Sequence, residues 1–396
     1  MISVEEATNR IVAAMSPTPM EHIQVGQAAG RVLAEDICAA NDQPPFPVSA
    51  MDGYALQSID VADVPRVLKV IGSAPAGHPY SGEVGSGEAV RILTGGVVPA
   101  GADTIVIQED TDRGYPDLTV HVASSAGRHI RPAGLDFKRG DLLVRTGKWL
   151  TPRDLALIAA GDAPEVLVRR RPKVALAATG DELSLPGRER QAGGIVASSL
   201  YSVSALIERW GGEPQNLGIL PDNAEAVHAI AAAAVPSDLV VTLGGASVGD
   251  HDLVQNALEL KGFILDFWKI AMRPGKPLLF GRLGNTPLLG LPGNPVSSYV
   301  CALLFLKAAM MALLGTSPTG EKLAVRLTAP LPVNDAREDY VRARLISRGG
   351  EMWAHPFSAQ DSSMQLALAQ ADILLIREPY APAAEIGAPV LATRLQ

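Results

Sequence analysis

Apolar strand-like segments alternate with helix-like segments over residues 173–314, and this alternation restricts the possible folds more than any other feature of the chain. Lys173–Ala178 and Leu239–Leu243 are short and apolar, as buried strands are. A predicted helix covers Ser198–Trp210 and ends at the stop signal Gly211-Gly212. Such alternation is typical of a mainly parallel sheet with helices on both faces. We therefore predict a central α/β/α domain.

The remaining elements of this domain follow the same pattern. We predict further strands at about Asn216–Leu220, near Phe280 and at Leu288–Leu291, and further helices at Asn223–Val235 (capped by Asp222), at Asp252–Leu260 and after Pro295. The last helix contains the apolar run Val296–Leu314, which is nearly long enough to span a membrane. Lys307 interrupts this run, and Asn294-Pro295 is a favourable helix start, so we interpret it as a buried helix of a domain outside the membrane.

The regions on either side of this domain have a different sequence pattern. Residues 1–40 are predicted to be helical, whereas residues 44–144 contain short β-like pieces broken by Gly and Pro, such as Ala89–Leu93 and Thr104–Gln108. A helix is expected after Thr151-Pro152. After about Thr316 short strands return, at Ala324–Leu327, Tyr340–Ile346 and Ile373–Ile376, which predicts a small C-terminal β domain.

Charge and cysteine content narrow the functional classes. The chain has 34 basic and 42 acidic residues and a net charge of −8, which argues against a nucleic-acid partner, because phosphate backbones are bound by clustered Lys and Arg. Cys38 and Cys301 are the two cysteines, and their spacing matches no zinc or iron–sulfur pattern. Two cysteines in 396 residues and an N-terminal segment without signal-peptide features lead us to expect a cytoplasmic protein.

Each predicted strand of the α/β/α domain is followed by a polar or glycine-rich loop. In open α/β sheets, ligands bind at the carboxyl ends of the strands, so these loops are expected to face one crevice. Any one of them could be an ordinary turn or helix cap, but five at successive strand ends favour a ligand site. The loops are Thr179–Glu182, Pro221–Asn223, Gly244–Asp252, Arg273–Pro277 and Pro292–Pro295.

The residue types in these loops indicate a phosphorylated substrate and a metal ion. Glycines allow backbone N–H groups to approach an anion closely, and the positive charges are Lys269, Arg273 and Lys276. Several carboxylates share the same rim: Asp181, Glu182, Asp222, Asp250 and Asp252. Carboxylates beside phosphate-binding groups are typical of sites for a hard cation such as Mg²⁺.

A competing pattern lies in the third loop. Gly245–Gly249 matches G-x-S-x-G, the nucleophile elbow of serine hydrolases, with Ser247 as the nucleophile. In such enzymes a helix starts directly after the serine, whereas here Gly249–Asp252 intervenes, and the histidine would have to be His355 in another predicted domain. These two departures make a hydrolase the weaker interpretation.

The first half of the chain contains two further motifs, and Arg128–Asp136 is a third candidate segment there. Six motifs occur here in the order seen in the MoeA/gephyrin E-domain family. They are Ser49–Ala55, Leu93–Gly95, Thr179–Glu182, Gly244–Asp252, Pro274–Pro277 and Leu291–Pro295. The chain resembles this family over essentially its whole length.

The resemblance implies a multidomain α/β plus β architecture with four domains. Residues 1–42 and 138–170 would form an elongated N-terminal domain, and residues 43–137 an inserted β-rich domain. Residues 171–316 would form the α/β/α molybdopterin-binding-type domain, with a mainly parallel sheet, and residues 317–396 a C-terminal β-barrel. Family members are usually homodimers, whose sites join the α/β/α domain of one subunit to the inserted domain of the other.

The reaction implied by the resemblance joins molybdate to adenylylated molybdopterin, with hydrolysis of the phosphoanhydride, release of AMP and of molybdenum cofactor, and assistance by Mg²⁺. The molybdopterin adenylyltransferase and recipient molybdoenzymes are further implied partners, and no membrane partner is expected. The resemblance assigns catalytic roles to Asp52, Thr94, Asp136 and Glu182, metal binding to Asp222 and Asp252, and substrate binding to Ser247, Lys269, Arg273, Lys276 and Ser297.

The chain departs from the family pattern at two places. Ala197-Ser198-Ser199 stands where Asp-Ser-Asn or Asp-Thr-Asn is common, so a carboxylate and an amide are missing beside the substrate. Arg273 stands where lysine is common, which keeps the charge but changes its geometry. Two alternatives stay open: a metal-dependent nucleotide or pyrophosphate hydrolase, and a gephyrin-like scaffold, although the long linker of such scaffolds is missing.

Overall fold

The chain divides into two compact units in the computed structural model, which describes residues 1–221, 223–244, 261–317 and 322–395. The first unit comprises Met1–Glu21, Gly30–Ala34 and Leu167–Gln396, and the second comprises His22–Ala29 and Glu35–Val166. Unit boundaries fall within two strands, β1 (Met20–Gln24) and β11 (Glu165–Arg169).

The N-terminal 40 residues are less helical than predicted. Helix α1 (Val4–Ala14) starts at the N-cap Ser3, whose hydroxyl accepts a hydrogen bond from the Glu6 N–H at 3.0 Å. Beyond Ala14 the helical prediction is wrong. Pro17 and Pro19 exclude a continuing helix, and the alternating burial of Met20–Gln24 is that of a strand.

The second unit is rich in short strands, as the sequence predicted. Its five-stranded sheet has the order β7–β4–β6–β5–β8, in which β5 and β6 are parallel and the other pairs antiparallel. Two small antiparallel pairs, β2 with β10 and β3 with β9, and the helix α2 accompany it. The bounds are β2 (Ile37–Cys38), β3 (Val48–Ser49), β4 (Gly53–Leu56), β5 (Arg66–Ala74), β6 (Glu88–Ile92), β7 (Thr104–Ile107), β8 (Asp117–Val120), β9 (Ile130–Arg131), β10 (Leu142–Val144) and α2 (Pro152–Ala160).

The first unit contains the predicted α/β/α domain. Its six-stranded sheet has the order β15–β12–β16–β20–β19–β17. The first four strands are mutually parallel, and β19 is antiparallel to both β20 and β17, so the prediction of a mainly parallel sheet is confirmed. The bounds are β12 (Lys173–Thr179), β13 (Leu183–Ser184), β14 (Ile195–Val196), β15 (Glu213–Leu220), β16 (Leu239–Leu243), β17 (Phe263–Trp268), β18 (Met272–Arg273), β19 (Leu279–Leu283) and β20 (Thr286–Leu291).

Two of this domain's predicted helices have nearly the predicted bounds. Helix α3 spans Ser198–Arg209, and α4 spans Ala224–Ala234. The cap of α4 is Asn223, not Asp222: the Asn223 Oδ1 accepts from the Glu225 N–H at 2.8 Å. On its inner face α4 packs Val227 and Ile230 against the sheet residues Ala175, Val240 and Leu288. The helix predicted at Asp252–Leu260 lies outside the described residues.

The long apolar helix is part of the domain core, as predicted. It runs over Pro295–Leu313 as α5 (Pro295–Cys301), a π-helical turn (Ala302–Leu306) and α6 (Lys307–Leu313). By length and composition alone it could cross a membrane, but 78% of its most apolar stretch is buried, as in a core helix. It packs against α1 and α3, so its apolar side chains have protein partners.

The predicted C-terminal β-barrel is also confirmed. Its strands pair in the order β22–β23–β21–β25–β24, and β24 pairs again with β22, which closes the barrel. The two-residue strand β18, from the α/β/α domain, pairs with β22 outside this ring. The bounds are β21 (Leu323–Leu327), β22 (Glu338–Arg348), β23 (Glu351–Pro356), α7 (Gln365–Ala369), β24 (Ile373–Arg377) and β25 (Pro389–Arg394).

One ion pair ties together the amino ends of two central strands. The Asp238 carboxylate accepts hydrogen bonds from Arg170 Nη2 at 2.7 and 2.9 Å and from the Lys173 N–H at 2.7 Å. Asp238 precedes β16 and Lys173 begins β12, so the pair lies at the amino edge of the sheet, opposite the predicted ligand loops.

We expect Asp238→Asn to lower the free energy of unfolding by about 2 kcal/mol, because hydrogen bonds to a partly buried charge are lost. Denaturant unfolding measures this effect. The control is Asp266→Asn, since Asp266 and its partner Arg10 are both more than 40% exposed and exposed ion pairs contribute under about 1 kcal/mol. Equal effects of the two substitutions would contradict this interpretation.

Candidate functional site

The carboxyl ends of the parallel strands lie side by side. Thr179 pairs with Leu220, Ala178 with Leu243, and Leu243 with Leu291. Strand β17 runs in the same direction as β20, because both are antiparallel to β19, so Trp268 also ends at this side of the sheet. We call this side the carboxyl edge, defined by the strand-end residues Leu220, Thr179, Leu243, Leu291 and Trp268.

The loop after β12 brings Glu182 back to the carboxyl edge. Gly180 has φ +148°, and a Cβ on it would lie 2.6 Å from the Glu182 Oε2, so the carboxylate folds over the glycine. Asp181 and Glu182 are both exposed. The structure therefore places the predicted catalytic Glu182 just after the end of a central strand, with its carboxylate next to Gly180.

A buried hydroxyl lies just beneath the same edge. Thr179, the last residue of β12, is only 5% exposed, and its Oγ1 has no hydrogen-bond partner in the part of the chain that the structure describes. The neighbouring Gly244 has φ +93°, and a Cβ on it would lie 2.6 Å from the Thr179 carbonyl oxygen. Only glycine can therefore follow β16 here, which explains the first glycine of the third loop.

The loop between β17 and β19 carries the predicted basic residues, which have distinct environments. Lys269 has φ +75°, and its Nζ lies 3.5 Å from the centroid of the Trp268 ring, within cation–π range. Arg273 forms ion pairs with Asp339 at 2.5 Å and Asp335 at 3.6 Å, and the hydrogen bond that Arg273 donates to Asp339 raises the pKa of Arg273. The guanidinium thus contacts two carboxylates of the barrel domain, and its predicted contact with substrate stays a prediction.

Lys276 and Ser297, predicted to bind oxyanions, are carried by segments that contact each other. A Cβ on Gly275, next to Lys276, would lie 2.4 Å from the Cys301 Sγ, so the loop packs directly on α5. Ser297 is four residues before Cys301 and therefore on the same face of α5. Lys276 is exposed, whereas Ser297 is only 6% exposed.

A segment of the barrel domain also reaches this region, which the sequence did not predict. Asn294 Nδ2 donates to Ser362 Oγ at 2.8 Å, and Gln365 Nε2 donates to Ser198 Oγ at 2.5 Å. Arg342, which is 1% exposed, holds this segment through hydrogen bonds to Asp361 O and Met364 O. Ser198 is part of Ala197–Ser199, where this chain departs from the family pattern. The barrel side chain Gln365 therefore contacts the segment that departs. A polar run at residues 360–363 was the only available signal.

The two motifs in the second unit meet directly. Asp52 Oδ1 accepts hydrogen bonds from the Thr94 N–H at 2.7 Å and from the Thr94 hydroxyl at 2.8 Å. The backbone of Ser49 pairs with Gly95 and Gly96. The Thr94 backbone and side-chain hydrogen bonds, in that order, lower the pKa of Asp52 below its ordinary value. The structure thus joins Asp52 and Thr94 into one hydrogen-bonded pair.

Asp136, the other predicted catalytic residue of this unit, is exposed. Its N–H donates to the Gln43 carbonyl at 2.9 Å, and the Gly134 N–H donates to the Pro44 carbonyl at 2.9 Å. These bonds hold the segment around Asp136 beside Gln43 and Pro44, which precede Asp52 in the chain. Its catalytic role stays a prediction.

The predicted metal ligands fall outside the described residues. Asp222, Asp252 and the hydrolase candidate Ser247 are not described, and neither is Asp250. Over residues 1–221, 223–244, 261–317 and 322–395 there is no group of three or more His, Cys, Asp or Glu side chains placed to hold a metal. The described part of the carboxyl edge suits an anion, because Gly180 and Gly244 leave backbone without side chains there and Lys269 directly follows the strand end Trp268.

Comparison with known proteins identifies the family. Residues 2–161 match the MoeA N-terminal region (domain I and II), residues 175–312 match a probable molybdopterin binding domain, and residues 324–395 match the MoeA C-terminal region (domain IV). The chain belongs to the MoeA family. Proteins of this family named molybdopterin molybdenumtransferase are transferases, and this MoeA-family chain is an enzyme of the same class.

Individual relatives support the assignment to the MoeA family over most of the chain. A molybdopterin molybdenumtransferase from Haemophilus influenzae is 40% identical over 303 residues, which cover 76% of this chain and 74% of the relative. One from Nostoc sp. is 34% identical over 367 residues, covering 90% and 84%. The crystal structure of a molybdopterin biosynthesis MoeA protein from Pyrococcus horikoshii has a TM-score of 0.86 at 28% identity and covers 100% of both chains.

We expect Thr94→Ala to raise the pKa of Asp52 toward the ordinary aspartate value without reaching it, because the backbone N–H of residue 94 still donates. Carboxyl carbon NMR titration measures this pKa. Since the folded-state pKa is lowered, the pair stabilises the fold above the ordinary aspartate pKa and loses this contribution as the pH falls through the lowered value.

The control for this titration is Asp112 in the same unit. Thr119 and Gly114 hold the pKa of Asp112 at about 2, and Thr94→Ala removes none of their hydrogen bonds. An unchanged Asp52 pKa, or an equal change at Asp112, would show that the Thr94 hydroxyl is not what lowers it.

Proposed function

We propose that the chain inserts molybdenum from molybdate into adenylylated molybdopterin, with hydrolysis of the phosphoanhydride and release of AMP and molybdenum cofactor. The observation that carries the proposal is the match of three successive regions to the MoeA family, together with a carboxyl edge that carries Glu182 and the start of the loop with Lys269 and Lys276. The relatives from Haemophilus influenzae and Nostoc sp. are named molybdopterin molybdenumtransferase.

The residues of the carboxyl edge suit an anionic substrate. Lys269 and Lys276 supply positive charge from one loop, and the Ser297 hydroxyl can donate to an oxyanion from α5. Arg273 and Ser247 are the remaining proposed substrate contacts. Glu182, whose carboxylate lies over Gly180, is proposed to act at the reacting centre, where a carboxylate can accept a proton from the attacking water.

Magnesium assistance is part of the proposal. Mg²⁺ is usually held by one or two protein carboxylates together with substrate phosphates, so Asp222 and Asp252 are a sufficient protein ligand set. Asp181 and Glu182, exposed on the next loop, are oxygen donors of the kind that Mg²⁺ accepts. When bound, the ion would neutralise charge that develops on the phosphoanhydride.

We also propose that the active enzyme is a cytoplasmic homodimer in which Asp52, Thr94 and Asp136 act on the partner subunit's substrate. The motive is chemical. Asp52 and Thr94 form a preorganised polar pair outside the α/β/α domain, and Asp136 is exposed in the same unit. The molybdopterin adenylyltransferase as donor of the substrate, and recipient molybdoenzymes, are the proposed protein partners.

The deciding experiment incubates the protein with adenylylated molybdopterin, molybdate and Mg²⁺. We expect AMP and active molybdenum cofactor to appear together, and chelation of Mg²⁺ to slow AMP release. Reconstitution of a cofactor-free molybdoenzyme measures the cofactor. AMP release without any molybdenum transfer would instead indicate a nucleotide or pyrophosphate hydrolase, and the absence of both activities would favour a scaffold.

The same assay tests the serine-hydrolase alternative. Ser247→Ala should retain most AMP release if Ser247 only binds substrate, whereas loss of a nucleophile would abolish turnover nearly completely. A covalent adduct trapped on Ser247 would contradict the proposed reaction.

A mixed-dimer experiment tests the shared site. Asp52→Asn and Glu182→Gln should each be inactive as homodimers, because one half of every site is damaged. After subunit exchange we expect up to about half of the sites in each mixed dimer to be intact, and activity to return in part. Activity that stays absent after exchange has been proven by mass spectrometry would contradict the shared site.

The matched control for the exchange is a pair of variants damaged in the same half of the site. Mixed dimers of Asp52→Asn with Thr94→Val contain no site with an intact inserted-domain half, so they should stay inactive. Recovery in this control would mean that exchange restores activity for some reason other than a shared site.

A further inference from the structure

The loop between β17 and β19, which we call the basic loop, is fastened to the barrel domain at Arg273. Both ends of this loop lie at the carboxyl edge, because β17 ends there at Trp268 and β19 begins there at Leu279, opposite Gly290 of β20. Within the loop, Arg273 lies opposite Asp339 in the parallel pairing of β18 with β22. A residue of the candidate site thus lies next to a carboxylate from another domain.

The side chain of Asp339 is the principal partner of the Arg273 guanidinium. Its Oδ2 accepts a hydrogen bond from Arg273 Nη2 at 2.5 Å, and only 15% of the Asp339 side chain is exposed. Asp335 is a weaker partner, because it lies 3.6 Å from Arg273 Nη1 and its carboxylate already accepts hydrogen bonds from Arg337 at 2.6 and 3.2 Å. Asp339 therefore determines where the guanidinium lies.

The barrel segment that carries Asp339 is itself fixed. Asn334, which is 6% exposed, holds the segment through its Nδ2, which donates to three backbone carbonyls. These are the carbonyls of Arg337, Glu378 and Arg377, at 2.7, 2.8 and 3.1 Å. In addition, the Glu338 N–H donates to the Ala271 carbonyl of the basic loop at 2.9 Å. The position of the Asp339 carboxylate is thus set before any ligand binds.

The Arg273 guanidinium keeps further donors for a ligand. Arginine carries several N–H donors in a planar fork, whereas a lysine ammonium is a compact point charge. Within the described residues, Arg273 Nε makes no hydrogen bond, and Nη1 makes only the long ion pair with Asp335. Because 48% of the side chain is exposed, these donors are accessible. Arg273 can therefore pair with Asp339 and bind an oxyanion at the same time.

We propose that Asp339 is a positioning residue, which acts through Arg273 and aims the remaining donors of the guanidinium at an oxyanion of the substrate, either phosphate or molybdate. This inference rests on the proposed function, in which Arg273 contacts substrate. Holding the guanidinium removes the cost of ordering a long side chain when substrate binds, but the Asp339 charge also repels the oxyanion. Since these effects on affinity oppose each other, Asp339 acts mainly on the orientation of the bound substrate.

The first test is Asp339→Asn, which keeps the size of the side chain and the backbone pairing with β18 but removes the charge. In the molybdenum-insertion assay kcat should fall about 10-fold and KM for the pterin substrate should change less than about threefold, because a mobile guanidinium attracts the oxyanion without orienting it. Asp339→Glu, which restores the carboxylate, should recover most of kcat. The matched control is Glu351→Gln, which removes an exposed ion pair with Arg326 in the barrel and should leave both constants unchanged.

A double variant shows whether Asp339 acts through Arg273. Arg273→Ala alone should lose at least as much activity as Asp339→Asn. Adding Asp339→Asn to Arg273→Ala should lower kcat/KM by less than about twofold more, because the side chain that Asp339 positions is already missing. Losses that multiply in the double variant would overturn the positioning role. Equal losses of kcat in Asp339→Asn and Asp339→Glu would do the same, and so would an Asp339→Asn protein that fails to fold.

Two measurements separate this inference from the proposed reaction. Nitrogen NMR relaxation of the Arg273 Nε–H group should show an ordered side chain in the parent and a mobile one in Asp339→Asn. Inorganic phosphate and molybdate, titrated separately by calorimetry, identify the oxyanion as the one that binds more weakly to Arg273→Ala than to the parent.

These two results support the inference even if the parent releases no molybdenum cofactor, in which case only the proposed reaction is wrong. An Arg273 side chain that is equally ordered in Asp339→Asn and in the parent would overturn it. Equal binding of both anions to the parent and to Arg273→Ala would overturn it as well.

Discussion

Parallel pairing of β12 with both of its neighbours is the constraint on which the candidate site depends. Parallel strands carry their carboxyl ends to one side, and here Thr179, Leu220 and Leu243 end within one residue of each other in register. The loops that follow these strands are far apart along the chain, yet they thereby begin at one edge. The antiparallel turn at β19 keeps the basic loop at this edge as well, because β17 again runs in the direction of β20.

The charges of the molecule are organised differently in the two units. At the carboxyl edge the basic residues have unequal freedom, since Lys276 is exposed while Arg273 is committed to Asp339 and Asp335. In the second unit, Asp52 is held by two donors of a single residue. A carboxylate restrained in this way loses little rotational freedom when a further polar group binds it, which favours a positioning role.

Sequence patterns predicted the elements whose apolar residues are strongly periodic. The strands at Lys173 and Leu239, the helices after Ser198 and Pro295 and the barrel strands were found because burial selects their side chains. Strand β17 was missed because it lies at a sheet edge, where Ile264 and Leu265 are exposed and the apolar pattern carries no information.

Neighbouring residues of similar chemistry could not be distinguished in advance. Asp222 and Asn223 are both good helix caps, and only the backbone geometry shows that Asn223 performs this role. The partners of Arg273 lie more than 60 residues later, in another domain, so no local pattern indicates them. The same holds for Ser362 and Gln365, whose contacts with Asn294 and Ser198 arise from tertiary packing alone.

The short strand β18 has a consequence for how this protein can be divided. Met272 and Arg273 belong to the loop of the α/β/α domain by sequence, but they extend the sheet of the barrel by pairing with Glu338 and Asp339. Pairing with the barrel therefore helps to position the loop that carries Lys269 and Lys276, so the barrel is not structurally independent of this loop. A truncation after α6 would keep the strands of the α/β sheet but remove the β22 strand with which this loop pairs. A chimera must therefore keep the barrel together with its own α/β/α domain.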